Sequence, residues 1–308
     1  MKRIFILLFI LCMLSACSAT KIPDEIIFDF DNLFPEGIEY DENGERFLLG
    51  SVSEGTIFQV FDDGTIEPFI EDPDLIECTG LEIDRKNQRL LVVNNNYADN
   101  TSYLNTYDLS TGERIFISDI SSIKPDLPHY ANDVAVDADG NAYVTDTGSW
   151  LTDEVTSAIY RVDMEGNPTL FMEHTLFDYV NGIVYHPNGF LLLGSTPGLL
   201  LKIPLDNPEV IRVDISDGHW DFLRTESMIM HLDGTLIMVT SPDSKVGRLK
   251  SDDDWETAQA AGISLGHKGG STIALRGEEV YIIYSYLDSF TGGLGKQSTF
   301  KIVRVIFE

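Results

Sequence analysis

Two carboxylates and two carboxamides recur at one position of a repeated sequence pattern, and these residue types are suited to binding a cation. They are Glu36, Asn132, Asn181 and Glu226. Each stands just ahead of a strand-like run that leads through a tight turn into a second run. Residues 129–147 have the clearest copy, with alternating apolar residues on both sides of Asp139-Gly140. Period-two alternation around an Asp-Gly pair predicts a β-hairpin.

These oxygen donors predict a hard metal ion if the fold brings them together. Two carboxylates and two amides at one point are costly when they are left unpaired, and a divalent cation offsets that cost. Ca²⁺ takes carboxylate and amide oxygens in a loose coordination shell. Soft metals favour Cys and His, which are absent from these positions. We therefore expect one divalent cation, Ca²⁺ before Mn²⁺, Mg²⁺ or Zn²⁺.

A structural explanation exists for each residue taken singly. An Asn before a strand is often a turn or cap residue, and a lone Glu is often a solvated loop carboxylate. Four oxygen donors at the same phase of four repeats are much harder to explain in this way. We call this position the lead position, and Thr79 and, more weakly, Ser271 occupy it in two further repeats.

The spacing of the lead positions predicts the fold. The intervals between successive lead positions are 43, 53, 49, 45 and 45 residues. Propeller blades of four strands repeat at about 40–50 residues, and two more strand-like runs follow each hairpin. The sequence therefore predicts an all-β, six-bladed β-propeller over residues 24–308, with four antiparallel strands per blade. Because the chain ends one strand short in the sixth blade, residues 25–30 are expected to close the ring.

Three other motifs are assigned structural roles. Residues 262–266 match the G-x-S-x-G pattern of hydrolases, but a strand rather than a helix is expected after them, so the match is read as chance. Residues 137–141 resemble the start of a calcium loop without its spacing, and we interpret them as the hairpin turn. Residues 255–261 are the nearest approach to a helix, which Asp252–Asp254 would cap.

Composition limits the partners. The chain carries 21 Lys and Arg against 50 Asp and Glu, a formal net charge of −29. Such a surface repels nucleic acid and anionic lipid headgroups. The hydrophobic share of 43% is that of a globular protein. We expect a monomer that takes a small molecule and does not bind nucleic acid.

The N-terminus predicts export. A positive start, Met1 to Arg3, precedes an apolar run over residues 4–14, which is short for a membrane span. The Leu14-Ser15-Ala16-Cys17 sequence resembles the lipobox of bacterial lipoproteins, which implies a signal peptide over 1–16, lipidation at Cys17 and a linker to residue 23. An ordinary signal peptide is the alternative. The lipid would be the protein's only membrane contact, at the bacterial cell envelope. Cys78 then remains alone and is expected in the core.

The lead residues resemble those of a known superfamily. Glu36-Gly37, Asn132-Asp133, Asn181-Gly182 and the acid of the fifth repeat look like the metal signature of the senescence marker protein/gluconolactonase/luciferin-regenerating enzyme superfamily. Paraoxonases and diisopropyl fluorophosphatases share its six-bladed arrangement. The resemblance implies one catalytic divalent ion held by Glu36, Asn132, Asn181 and Glu226. This chain departs from the family at Glu226, where Asp is usual.

The resemblance also implies a chemistry. The ion would polarise a lactone carbonyl or phosphoryl oxygen, and Glu226 would activate water or attack directly. Asp133 would orient a ligand, His129 would move a proton or contact substrate, and Thr79 and His267 could lie on the substrate side. We expect a metal-dependent hydrolase of a lactone or related ester. The alternative is a non-catalytic propeller that binds a ligand or protein partner around a structural calcium.

Overall fold

The computed structural model describes residues 22–148, 156–215, 224–287 and 296–308. Its strands form six sheets, one of which joins the first strand of the chain to the last three. The first strand, β1 (Glu25–Asp29), belongs to the sheet that closes the ring. The strands of the first three blades are β2 (Pro35–Asp41), β3 (Arg46–Ser51), β4 (Ile57–Val60), β5 (Ile66–Ile70), β6 (Glu77–Asp84), β7 (Arg89–Asn96), β8 (Thr101–Asp108), β9 (Arg114–Asp119), β10 (Ala131–Val136), β11 (Ala142–Asp146), β12 (Ala158–Val162) and β13 (Pro168–Met172). A 3-10 turn, Ser121–Ile123, follows β9.

The last three blades follow the same order. Their strands are β14 (Ile183–His186), β15 (Phe190–Ser195), β16 (Leu199–Pro204), β17 (Ile211–Arg212), β18 (Asp214–Ile215), β19 (Arg224–Met230), β20 (Leu236–Ser241), β21 (Lys245–Lys250), β22 (Thr257–Ser264), β23 (Gly270–Arg276), β24 (Glu279–Tyr284) and β25 (Thr299–Arg304). The predicted six blades of four antiparallel strands are therefore confirmed. The fifth sheet has one addition, since β18 pairs parallel to the outer edge of β22.

The ring closes through the N-terminal strand, as the sequence predicted. Strand β1 pairs antiparallel with β25, from Glu25 opposite Val303 to Asp29 opposite Thr299. The first strands of successive blades, β2, β6, β10, β14, β19 and β23, contact one another around the axis, and β23 contacts β2 again. Because every sheet packs between two others, the core is divided among the blade interfaces. Cys78 is fully buried in one of them with Leu48 and Leu81.

The predicted hairpin turn is confirmed at residues 137–141. The carboxylate of Asp137 accepts hydrogen bonds from the backbone N–H groups of Asp139 and Asn141. The strand β10 ends before this turn and β11 begins after it. The G-x-S-x-G pattern likewise has no structural counterpart, because Ser264 ends β22 and the next described element is strand β23.

The prediction of a helical turn at residues 255–261 was wrong. Asp254 and Trp255 have φ values of 59° and 66°, which an α-helix does not accommodate. Strand β22 begins at Thr257, and Asp253 does not cap a helix but accepts hydrogen bonds from the Thr257 N–H and hydroxyl. Trp255 is buried in the core of the fourth and fifth blades. Its burial fixes the turn, and the sequence pattern does not reveal that contact.

Residues 1–21 lie outside the described ranges, so the signal peptide and Cys17 remain expectations. Among the described residues, no helix is long and apolar enough to cross a membrane.

Candidate metal centre

A β-bulge in the first strand presents the lead residue to the channel in most blades. The pairing of β2 with β3 is interrupted between Pro35 and Ile38, and that of β10 with β11 between Ala131 and Val134. The register also shifts at the lead positions of β6, β19 and β23. A bulge leaves a residue out of the ladder and re-aims its side chain, a frequent arrangement beside functional sites. The fold therefore places five lead residues in bulges.

One pocket contains all four predicted metal-binding residues. Glu36, Asn132, Asn181 and Glu226 line a cavity of about 280 Å³ where the channel opens. They come from the first, third, fourth and fifth blades, so residues up to 190 positions apart meet at the axis only because the sheets close into a ring. Asn181 is buried, and about a quarter of the Glu226 side chain is exposed. The site is therefore reachable by a small molecule.

Two of these residues are joined directly. The Asn181 Nδ2 donates to Glu226 Oε2 across 3.3 Å. The other carboxylate oxygen, Oε1, accepts from Arg224 Nε at 3.1 Å. With its amide nitrogen turned to Glu226, the buried Asn181 Oδ1 has no hydrogen-bond partner among the described residues. A buried carbonyl oxygen without a donor costs about 1–3 kcal/mol.

The electrostatics of the pocket favour a cation. Burial raises the pKa of Glu36 to about 8, and the negative charge of Glu226 adds to the shift. A positive ion would reverse both effects and give the Asn181 Oδ1 its missing partner. Within the described ranges, no group of three or more His, Cys, Asp and Glu is placed to hold a metal. A divalent ion here would depend on the asparagine oxygens as well, and the donor set fits Ca²⁺, Mn²⁺ or Mg²⁺.

In the first three blades the residue after the lead position packs against the next blade. A Cβ atom on Gly37 would lie 2.3 Å from the Thr79 carbonyl oxygen, and one on Gly80 would lie 2.6 Å from that of Asn132. Asp133 occupies the same position in the third blade. Its Oδ2 accepts from the Ile183 N–H at 3.2 Å, two residues past Asn181. Burial raises the pKa of Asp133 to about 7. Asp133 thus links two blades that both carry lead residues.

Asn95 fixes the backbone that leads into Asn132. Its Oδ1 accepts from the Ala131 N–H at 2.9 Å, and its Nδ2 donates to the Ala131 carbonyl at 2.8 Å. Asn95 is fully buried in the second blade. An amide that pairs with both backbone groups of Ala131 holds the start of β10 against β7. The sequence pattern did not identify this residue.

The structure places four sequence-predicted residues outside the residues that line this pocket: Asp133, described above, and His129, Thr79 and His267. His129 is buried, with Nδ1 at 2.5 Å from Asp146 Oδ2 and Nε2 at 2.9 Å from the Lys124 carbonyl. The Thr79 hydroxyl donates to the Ala131 carbonyl at 3.2 Å. His267 lies between Ser264 Oγ, at 2.9 Å, and the Tyr284 hydroxyl, at 3.1 Å.

These contacts give the three side chains positioning roles. The Asp146 carboxylate bonded to His129 also accepts the Tyr130 N–H, so His129 holds the approach to Asn132. Thr79 holds the same strand from the second blade. His267 precedes Lys268 and Gly269, which line the pocket, and its contacts anchor that loop.

The structure adds pocket residues that sequence reasoning missed. Tyr130, Tyr179 and Arg224 line the pocket, and each stands two residues ahead of a lead residue. The Arg224 guanidinium lies over the Tyr179 ring at 5.1 Å. Strand side chains two positions apart face the same side, so the offset from Asn132, Asn181 and Glu226 was the available signal. Lys268 also lines the pocket and carries no such signal.

The fold and the site define a class: six-bladed propellers with a pocket of converging oxygen donors on the axis. Residues 34–284 match the model of the SMP-30/gluconolactonase/LRE-like family, and the chain belongs to this family. A search of curated protein sequences found no match.

Solved structures share the fold at low sequence identity. The allergen Mala s 1 of Malassezia sympodialis superposes with a TM-score of 0.76 at 19% identity, covering 92% of this chain and 96% of its own. The calcium-binding protein regucalcin of Agrobacterium tumefaciens has a TM-score of 0.61 at 17% identity, and the match covers 90% of this chain and 92% of regucalcin. The gluconolactonase XC5397 of Xanthomonas campestris has a TM-score of 0.58 at 14% identity, and the match covers 91% of this chain and 87% of XC5397.

Proposed function

We propose that this protein is a divalent-metal-dependent hydrolase of a lactone or related ester. The observation that carries the proposal is the convergence of Glu36, Asn132, Asn181 and Glu226 on one pocket. Membership of a family named for gluconolactonase supports the hydrolase class. The name of the regucalcin neighbour supports calcium as the ion. The substrate is a small molecule, because the cavity is near the lower size limit of ligand pockets.

The four lead residues would hold the ion, with carboxylate oxygens from Glu36 and Glu226 and amide oxygens from Asn132 and Asn181. When bound, a divalent ion polarises the scissile carbonyl and offsets the negative charge that develops on its oxygen. The chain's own residues must then position water and move a proton.

Glu226 is assigned the role of general base. Its carboxylate is fixed by Asn181 on one oxygen and by Arg224 on the other, so it is oriented before substrate arrives. Water adds to the carbonyl carbon and gives a proton to Glu226. The acyl C–O bond breaks, and the former ring oxygen leaves as the hydroxyl group of the product after taking up that proton. Asp133 keeps the fourth blade in register through Ile183.

A lactone panel tests the proposal. The purified protein is treated with EDTA and assayed with and without Ca²⁺, Mn²⁺, Mg²⁺ and Zn²⁺. We expect hydrolysis only with a metal, and a loss of at least about 100-fold in kcat for Glu226→Gln. Glu278→Gln, an exposed change in the sixth blade, is the matched control. Tight metal binding without hydrolysis of any lactone or ester would contradict the enzyme proposal and favour a ligand-binding propeller.

We further propose that the protein acts as a monomer at the bacterial cell envelope, anchored by a lipid on Cys17. Palmitate labelling of the expressed full chain should be lost in Cys17→Ala and kept in Cys78→Ala. Labelling that persists in Cys17→Ala would contradict the anchor.

A further inference from the structure

Two cationic side chains lie at the pocket of a strongly acidic protein. Arg224 and Lys268 line the same cavity as the four lead residues, although acidic residues outnumber basic ones 50 to 21 in the whole chain. The carboxylates of Glu36 and Glu226 would balance the charge of a divalent ion. Arg224 and Lys268 are then the charged side chains of the pocket lining that the ion and its ligands leave over. Two partly exposed cations favour an anionic ligand.

The geometry of Arg224 suits carboxylate recognition. A guanidinium has five N–H donors in a planar fork, and the bond to Glu226 uses only its Nε. The guanidinium also lies over the Tyr179 ring at 5.1 Å, a cation–π contact that restrains its position. More than a third of the Arg224 side chain is exposed. A pre-oriented fork of this kind can bind a carboxylate through two parallel hydrogen bonds.

The contact with Glu226 does not by itself explain an arginine here. A partly exposed ion pair contributes little to stability, and Glu226 is also held by Asn181. Arg224 could still serve only to orient Glu226. That role would affect metal binding and turnover of every substrate alike, so the two roles are separable by experiment.

We propose that Arg224, assisted by Lys268, binds a carboxylate of the substrate, so that the preferred substrate is a lactone or ester that carries a second, anionic group. The inference rests on the proposed function of the same pocket. The scissile carbonyl would lie at the lead residues, with the carboxylate between Arg224 and Lys268. Tyr130 and Tyr179 line the space around them.

Paired substrates test the inference. We compare the hydrolysis of two lactones by the calcium-loaded protein. Glucarolactone has a free carboxylate, and gluconolactone has a hydroxymethyl group in its place. We expect kcat/KM at least about tenfold higher for glucarolactone. Arg224→Gln should remove this preference by raising the KM for glucarolactone. Lys250→Gln removes one exposed positive charge from the same blade outside the pocket and should keep the preference.

A binding measurement makes the result independent of turnover. Calorimetric titration of the protein with glucarate and with gluconate, at calcium concentrations that saturate the wild type and the variant, should give tighter binding of glucarate, and this difference should be lost in Arg224→Gln. Hydrolysis of both lactones at equal efficiency would overturn the inference and leave the proposed function intact. Preferential binding of glucarate without hydrolysis of either lactone would support the anion site and contradict the hydrolase. Equal binding of glucarate and gluconate, or an equal loss of both in Arg224→Gln, would overturn the inference.

Discussion

The side-chain amide of Asn181 donates to Glu226 across 3.3 Å, and this contact joins the lead residues of two adjacent blades that are 45 positions apart. It uses the nitrogen of the amide and leaves the buried Oδ1 without a partner among the described residues. The amide thus orients the Glu226 carboxylate and leaves its own oxygen beside it unpaired within the described part of the chain. A bound cation would give both oxygens a partner.

Asn181→Ala should therefore weaken metal binding. We expect calcium affinity to fall by at least about tenfold, because a buried oxygen ligand and the hydrogen bond that orients Glu226 are both removed. Calorimetric titration of the EDTA-treated protein measures the affinity. Asn207→Ala removes an exposed amide from the same blade and should bind calcium as the wild type does. Unchanged affinity in Asn181→Ala would exclude Asn181 as a ligand.

Glu36→Gln should raise the thermal stability of the metal-free protein and reduce the stabilisation that calcium gives. The folded-state pKa of Glu36, about 8, lies above its ordinary value of 4.5. Ionising Glu36 therefore destabilises the ion-free fold increasingly as pH rises from about 4.5 to about 8. At pH 9 in EDTA, the variant should unfold at a higher temperature than the wild type. With calcium, the wild type should gain stability and the variant should gain much less.

Thermal unfolding at pH 9 in EDTA and in calcium checks this, with the exposed Glu209→Gln as control. A variant that is less stable in EDTA, or that keeps the full calcium effect, would contradict the assignment of Glu36.

His129 should stabilise the fold more at low pH than at high pH. Burial alone would lower the pKa of His129, but its hydrogen bond to Asp146 and the charge of that carboxylate raise the pKa above its ordinary value. The folded state then binds the proton more tightly than the unfolded state. The contribution is full below pH about 6.5 and is lost as pH rises through the raised pKa.

Urea unfolding of wild type and His129→Gln at pH 6 and pH 9 measures this contribution. The difference in free energy of unfolding should be larger at pH 6. The exposed His174→Gln is the control. A difference that grows toward pH 9 would show that His129 is not held as a cation.

Asn95→Ala should destabilise the second and third blades. The substitution leaves the Ala131 carbonyl without the Asn95 amide and removes an acceptor for the Ala131 N–H. The Thr79 hydroxyl and the Ser102 Oγ still bond these two groups, so the two lost hydrogen bonds cost about 0.5–1.5 kcal/mol each. Urea unfolding should show this loss, and calcium affinity should fall because Asn132 follows Ala131. The neighbouring Asn96→Ala, whose amide bonds only the turn residue Asp99, should cost less. An equal loss of stability in Asn95→Ala and Asn96→Ala would contradict the role of Asn95.

The fold was predictable because local patterns carry it. Each hairpin has its own turn chemistry, as at Asp137, and the repeat length indicates the blade. The lead residues were also predictable, because residues at the same position of different blades meet at the axis of a closed propeller. The turn at Trp255 was not, because its conformation depends on burial between two blades. The bulges were not visible either, because a single sequence does not show where a residue leaves the ladder.

The histidines show the same limit. His129 stands three residues before Asn132, and sequence proximity suggested the pocket. The structure instead pairs it with Asp146, the partner of Ala131 across the hairpin. That register is set by the bulge, which a single sequence does not display.

The metal centre is tested most directly by anomalous diffraction from crystals of the protein soaked in manganese. We predict one strong peak in the channel pocket, within roughly 2.0–2.6 Å of oxygens from Glu36, Asn132, Asn181 and Glu226. A peak elsewhere, or no peak in the pocket at saturating metal, would contradict a metal centre built from these four residues.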